Sequence, residues 1–250
     1  SLGLDPDVDE ITVVGVGDMS GDVFGNGMLR SDRIRLVAAF DHRHVFLDPD
    51  PDPAVSFAER RRLFELPRSS WADYDPALIS EGGGVHDRAA KAVPLSDRVR
   101  AVLRVDAAEL TPAELIRAVL GAPVDLLYFG GIGTYVRAST EDDAAIDDRA
   151  NADVRVPATD VRARVVGEGA NLAMTQRSRV ELARRGSRVN MDAIDNAAGV
   201  DCSDHEVNVK ILLAEAERDG RIDRPERDAL LAAHADDVVA AVLADCAAQS

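Results

Sequence analysis

Residues Ile11–Val16 read Ile-Thr-Val-Val-Gly-Val and run directly into Gly17-Asp18-Met19-Ser20-Gly21. A short β-branched apolar run that ends on glycine reads as a buried strand followed by a tight turn. Gly21–Leu29 is glycine-rich at first and then helical in character, and Ile34–Phe40 (IRLVAAF) is a second buried strand. Strand, turn, helix and strand within about 30 residues form a βαβ unit, whose strands pair in parallel through a right-handed crossover.

Further strands follow at Val124–Phe129, Arg164–Val166 and Arg188–Asn190, each separated from the last by helical or irregular segments. Helices are expected at Phe57–Leu66, at Ser96–Val105 in helical or mixed form, at Thr175–Arg185 and at Met191–Ala197. Thr111 with Pro112 and Glu114 is a capping box with proline at the first helical position. The fold class is therefore α/β: a Rossmann-like open, mostly parallel sheet with helices on both faces, plus C-terminal helices. Those last helices read as Ser203–Arg218 and Arg224–Ala247. The expected division is a dinucleotide-binding domain over residues 1–200 and a helical segment over 201–250 that packs on it or leads to further domains. Ser69–Asp87 has no clear periodicity and reads as a functional loop or a family-specific insertion.

The turn has GxGxxxG spacing, one residue longer than the common dinucleotide fingerprint. Gly15 is expected to allow the turn, Gly17 to admit a pyrophosphate, and Gly21 to let the helix pack against the strand. Gly15, Gly17, Asp18, Met19 and Gly21 are thus candidate cofactor-binding residues. Asp41 ends the second strand, where an acid accepts hydrogen bonds from the adenosine ribose and repels a 2′-phosphate. That favours NAD over NADP, although Arg43 two residues on could hold a 2′-phosphate. The plain alternative for Asp41 is a solvated strand-end carboxylate.

Composition narrows the partners. The 250 residues carry a formal charge of −16, so nucleic acid, which needs clustered basic surface, is not expected as a partner. No apolar run is long enough to span a membrane, and Ser1–Glu10 is too polar for a signal peptide. Cys202 and Cys246 form no disulfide framework, which suits a reduced, cytoplasmic protein. Glu10 runs straight into a strand, which suggests a chain cut from something longer. His42 and His44 form an HxH pair with no defined further ligand, so no metal is expected. Trp71 is expected to anchor its loop to the body. Glu141–Asp148 reads as a solvated acidic face, and the histidine–acid group at His205 reads chiefly as helix capping.

Three blocks resemble the glutamate dehydrogenase superfamily, and among its members the very large NAD-specific enzymes of bacteria. They are VVGVGDMSGDVFGNGMLRS with AAFDHRHVFLDPDPDP, then DLLYFGGIGTYV, then VVGEGANLAMTQ with MDAIDNAAGVDCSDHEVNVKI. The resemblance runs from about Ile11 to Leu213. It implies that Asn171, in Glu168-Gly169-Ala170-Asn171, lies beside the nicotinamide. It implies that Ser203, three residues after the Asn196–Val200 turn and at a helix start, binds the distal carboxylate of glutamate. Gly130 and Gly131 stand where smaller enzymes have a proline–alanine element near the dinucleotide, which leaves them a backbone role.

The resemblance implies oxidative deamination of L-glutamate to 2-oxoglutarate and ammonia, with hydride transfer to NAD. No residue here matches the family's catalytic lysine or aspartate. Lys91 and Lys210, the only lysines, read as surface residues. Catalytic residues are therefore expected in the remaining domains of the same polypeptide, and this chain alone is expected to be inactive. The full-length protein is expected to be a homo-oligomer. A non-enzymatic nucleotide sensor or assembly domain is the rival reading, and a dehydrogenase for another amino acid is a third.

Overall fold

A computed structural model describes residues 2–249. The chain divides into two compact units, Ser1–Asp192 and Ala193–Ser250.

The first unit begins with β1 (Ile11–Val16), α1 (Asp22–Met28), β2 (Ile34–Phe40), β3 (His44–Leu47), α2 (Pro53–Glu65) and β4 (Gly84–Asp87). It continues through β5 (Val93–Pro94), α3 (Asp97–Leu103), β6 (Glu109–Leu110), α4 (Pro112–Leu120), β7 (Leu126–Phe129), β8 (Val136–Arg137) and β9 (Val156–Pro157). It closes with β10 (Val165–Glu168), α5 (Gln176–Arg184) and β11 (Arg188–Val189). Seven strands form one sheet in the order β11-β10-β7-β1-β2-β3-β4. From β11 to β2 every pairing is parallel, while β3 and β4 are antiparallel. The α/β class holds, and the reversed pair at one edge is what the apolar runs did not announce.

Strand alternation explains the two cores. Val14 and Val16 face a cluster with Val99, Leu103, Leu115, Val119 and Leu182 from α3, α4 and α5. Val13 points the other way, to Phe24 and Met28 of α1, Leu63 of α2 and Trp71. Both faces are covered, as continuous apolar strands require. At the amino ends, the Thr12 amide and hydroxyl both donate to Asp125 Oδ2, at 3.0 and 2.8 Å, tying β1 to β7. Arg164 Nη1 donates to Asp125 Oδ1 at 2.7 Å. Burial opposes the charge on Asp125, but these donors outweigh it and hold its carboxyl below the usual carboxylate range.

Caps sit where side chains supply them. Thr111 and Glu114 form the expected reciprocal box on α4. Helix α2 starts earlier than its apolar pattern suggested: Asp52 accepts from Val55 N, and Pro53 takes the first helical position. The stretch 69–87 is not shapeless. It holds two 3-10 turns, Trp71–Asp73 and Pro76–Leu78, and then β4, which extends the sheet.

Helix α6 (Asp192–Asp195) precedes the second unit's α7 (Ala197–Arg218), α8 (Arg224–Ala233) and α9 (Ala235–Gln249). Arg224–Ala247 is thus two helices, broken at His234. Lys91 and Lys210 are both exposed, and Lys210 pairs with Glu206 on its own helix. Among the described residues no helix is long and apolar enough to cross a membrane.

Candidate functional site

The chain lays β2 on one side of β1 and later returns to lay β7 on the other. The carboxyl ends of β1 and β7 therefore flank the point where strand order reverses, the place where open α/β sheets bind ligands. Backbone bonds knit this rim together. Gly17 N donates to Phe40 O at 2.8 Å, Gly130 N to Val16 O at 2.9 Å, and Ala170 N to Phe129 O at 2.8 Å.

The glycines divide their work differently from the sequence expectation. Gly15 lies inside β1, not in the turn. A Cβ there would stand 2.2 Å from Phe24 Cε2, and one at Gly130 would stand 2.6 Å from Phe24 Cβ. Gly15 and Gly130 thus let α1 press Phe24 against the strand ends. Gly21, the residue expected to do this, has only Asp18 near it. Gly17 has φ +139° and needs glycine for its backbone alone. Its carbonyl accepts from Trp71 Nε1 at 3.0 Å. Trp71 is fully buried, stacked on Phe46 and edge-on to Phe24. The loop after α2 is therefore fastened to the glycine turn, and Trp71 is an anchor.

Met19 is buried in the α1-side core, so its side chain is not presented to a ligand. The amides of Asp18, Met19 and Ser20 have no acceptor among the described residues. They are the donors this turn can offer an anion.

Asp41 is not a solvated carboxylate; it is 6% exposed. Its Oδ1 accepts from Arg43 N at 2.7 Å and His44 N at 2.6 Å, which shapes the turn from β2 to β3. Its Oδ2 is buried and has no hydrogen-bond partner. Beside it opens a cavity of about 600 Å³ lined by His42, Arg43, His44, Ser70, Asp87 and Arg88 among others.

Gly130 and Gly131 follow β7, and Gly131 lies against the backbone of Val16 and Gly17. The loop beyond is fastened to the turn after β10: Thr134 Oγ1 donates to Leu172 O at 2.7 Å, and Tyr135 N to Ala173 O at 2.8 Å. Asn171 is exposed in that turn. Beneath it lies a pair that sequence reading missed. Glu168, fully buried, accepts from Arg179 Nε at 2.7 Å and Nη2 at 2.8 Å. Arg179 also meets Asp192 at 3.2 Å, and Asp192 accepts from Leu172 N at 3.0 Å. The signal was available: an acid closing an apolar strand and an arginine on the next helix.

Residues 1–250 match the family described as "Bacterial NAD-glutamate dehydrogenase, catalytic domain". The chain belongs to this family. It is similar to the NAD-specific glutamate dehydrogenases of Mycobacterium tuberculosis (61% identical over 250 residues), Pseudomonas aeruginosa (56% over 241) and Halomonas elongata (54% over 244). Each match covers 96–98% of this chain but 15% of the relative's length.

In this member of the bacterial NAD-glutamate dehydrogenase family, Ser203 is not at a helix start. Asn196–Val200 is not a free-standing turn, because α7 begins at Ala197. Ser203 lies in the second turn of α7, exposed, with its hydroxyl donating to Gly199 O at 3.2 Å. It therefore caps nothing. Alanine, alanine and valine around Gly199 are compatible with helix, and the helix absorbs the motif.

Proposed function

We propose that Ser1–Asp192 is the coenzyme-binding part of an NAD-specific glutamate dehydrogenase. The reaction is oxidative deamination of L-glutamate to 2-oxoglutarate and ammonia. Bound NAD supplies the hydride acceptor. The observation that carries this reading is Asp41 Oδ2, a buried oxygen without a donor at the carboxyl end of β2. Ribose hydroxyls are donors of the right kind for it. The amides of Asp18, Met19 and Ser20, at a turn whose Gly17 keeps the backbone bare, suit a pyrophosphate. Gly130 and Gly131 line the rim by backbone alone, and Asn171 stands on the nicotinamide side. Proton transfer to and from the substrate belongs to the remaining domains of the full-length polypeptide. The complete enzyme works in the cytoplasm as a homo-oligomer.

Asp41→Asn keeps an oxygen for the Arg43 and His44 amides but replaces the charged acceptor. A hydrogen bond to a charged group is worth roughly 1.5–3 kcal/mol. NAD affinity of the full-length protein should fall about 10- to 150-fold. NADP affinity should fall less, because the acid no longer repels a 2′-phosphate. Calorimetric titration with both coenzymes measures this; an unaltered ratio of the two dissociation constants removes Asp41 from the site.

Ser203 is proposed to donate to the distal carboxylate of glutamate. Because its hydroxyl caps no helix, Ser203→Ala should leave the melting temperature nearly unchanged. The Michaelis constant for glutamate should rise about 10- to 150-fold, the loss of one bond to a charged group. An unchanged constant would show that the serine only bonds back along α7.

A further inference from the structure

In the sequence His42 is paired only with His44, and two histidines do not make a metal site. The fold brings other ligands to His42. Asp18 of the glycine turn, Asp41 at the end of β2, and His42 each place one ligand atom within 4.8 Å of the other two. Asp41 decides the matter. Its side chain is 3% exposed, its Oδ1 is engaged by two amides, and its buried Oδ2 has no partner. A buried carboxylate oxygen left without a donor is costly, and a cation satisfies it as well as a hydroxyl does. Asp18 is half-buried and holds one hydrogen bond to its carboxylate, from Ser20 Oγ to Oδ1 at 2.9 Å. His42 is exposed, so both side chains have room to turn toward a shared ion.

We infer that Asp18, Asp41 and His42 form a binding site for a divalent cation of the Zn²⁺ class. One imidazole nitrogen with two carboxylates suits Zn²⁺, Co²⁺ or Mn²⁺ better than Mg²⁺ or Ca²⁺, which favour all-oxygen shells. Two carboxylates this close repel each other, and a dication between them reverses the sign of that interaction. Three protein ligands leave a coordination position open to water. The site rests on the NAD reading in one respect only. Asp41 Oδ2 is the oxygen assigned there to the ribose, so cation and coenzyme exclude one another.

The test uses the full-length protein stripped of metal, with His42→Ala and His42→Gln as variants. His42 has no part in the proposed coenzyme contacts, so metal-free NAD affinity should be the same in all three forms. Wild type should take up one more equivalent of Co²⁺ than either variant, with a visible absorption band that the variants lack. Zn²⁺ at ten times its dissociation constant should weaken NAD binding about tenfold in wild type and not in the variants. Mg²⁺ should do neither. Equal Co²⁺ uptake and equal spectra in wild type and variants would overturn the site. Zn²⁺ bound at His42 with NAD affinity untouched would overturn the exclusion. If NAD fails to bind even metal-free wild type, the coenzyme reading fails, and the Co²⁺ measurements still decide the cation site.

Discussion

Arg179→Ala should lower the stability of the protein by about 3–5 kcal/mol, because it removes the arginine that offsets the buried charge of Glu168. For a unit of this size that is a fall in melting temperature of about 6–20 °C. Glu168 is fully buried, and the charged groups that act on it include Arg179 and, beyond it, Asp192. Burial pushes its carboxyl above the usual range even in the native pair, with Arg179 pulling it back. Without Arg179 the carboxyl rises further. A carboxyl whose folded pKa lies above its unfolded value favours the folded state only once it is protonated. The variant should therefore regain stability as pH falls through the raised value, while wild type, whose Glu168 is raised less because Arg179 pulls it back, should gain less. The double variant Glu168→Gln/Arg179→Met should recover most of the loss, since no charge is left at position 168 and Asp192, which loses the same arginine, is only partly buried. Chemical denaturation of the three forms between pH 5 and 8 measures this. A single variant as destabilised at pH 5 as at pH 8 would show that lost packing, not the buried charge, is responsible.

Trp71→Ala should cost about 3–5 kcal/mol as a large buried aromatic removed from the core. It should also weaken coenzyme binding, since Trp71 Nε1 is the donor that holds the Gly17 carbonyl. Trp71→Phe separates the two effects. It keeps an aromatic ring against Phe46 and Phe24 and loses the indole N–H, worth about 0.5–1.5 kcal/mol in bonding. Melting curves and NAD titrations on the full-length protein should place Phe between wild type and Ala on both measures. An Ala variant that melts early but binds NAD as tightly as wild type would show that the turn keeps its shape without the tryptophan.

The parallel half of the sheet was legible because β1, β2 and β7 are apolar on both faces and need no partner to be recognised. The reversed edge was not. His44–Leu47 and Gly84–Asp87 are four residues each, carry histidines and an aspartate, and meet across nearly forty residues of intervening chain. Glycine spacing marked the turn, but spacing does not show which neighbour fills the room left by a missing Cβ. Only the packing of α1 assigns that to Phe24, and so moves the helix-contact role from Gly21 to Gly15 and Gly130. Asp41 was singled out from its place after a strand, yet its burial depends on a β2–β3 turn that the sequence did not announce. Ser203 illustrates the opposite failure. A motif read as a turn was extended helix, because a loop motif of small residues and a helical first turn look alike in one dimension.

The amides of Gly17, Gly130 and Ala170 are each committed to a neighbouring strand before any ligand arrives. Fixing one residue's backbone costs roughly 1–2 kcal/mol in entropy, and here that cost is met when the chain folds. At these three residues a dinucleotide would meet backbone that folding has already placed. Its arrival rate is then set by diffusion and orientation. Discrimination among nucleotides of similar shape falls to residence time, the quantity on which related ligands of a rigid site differ most.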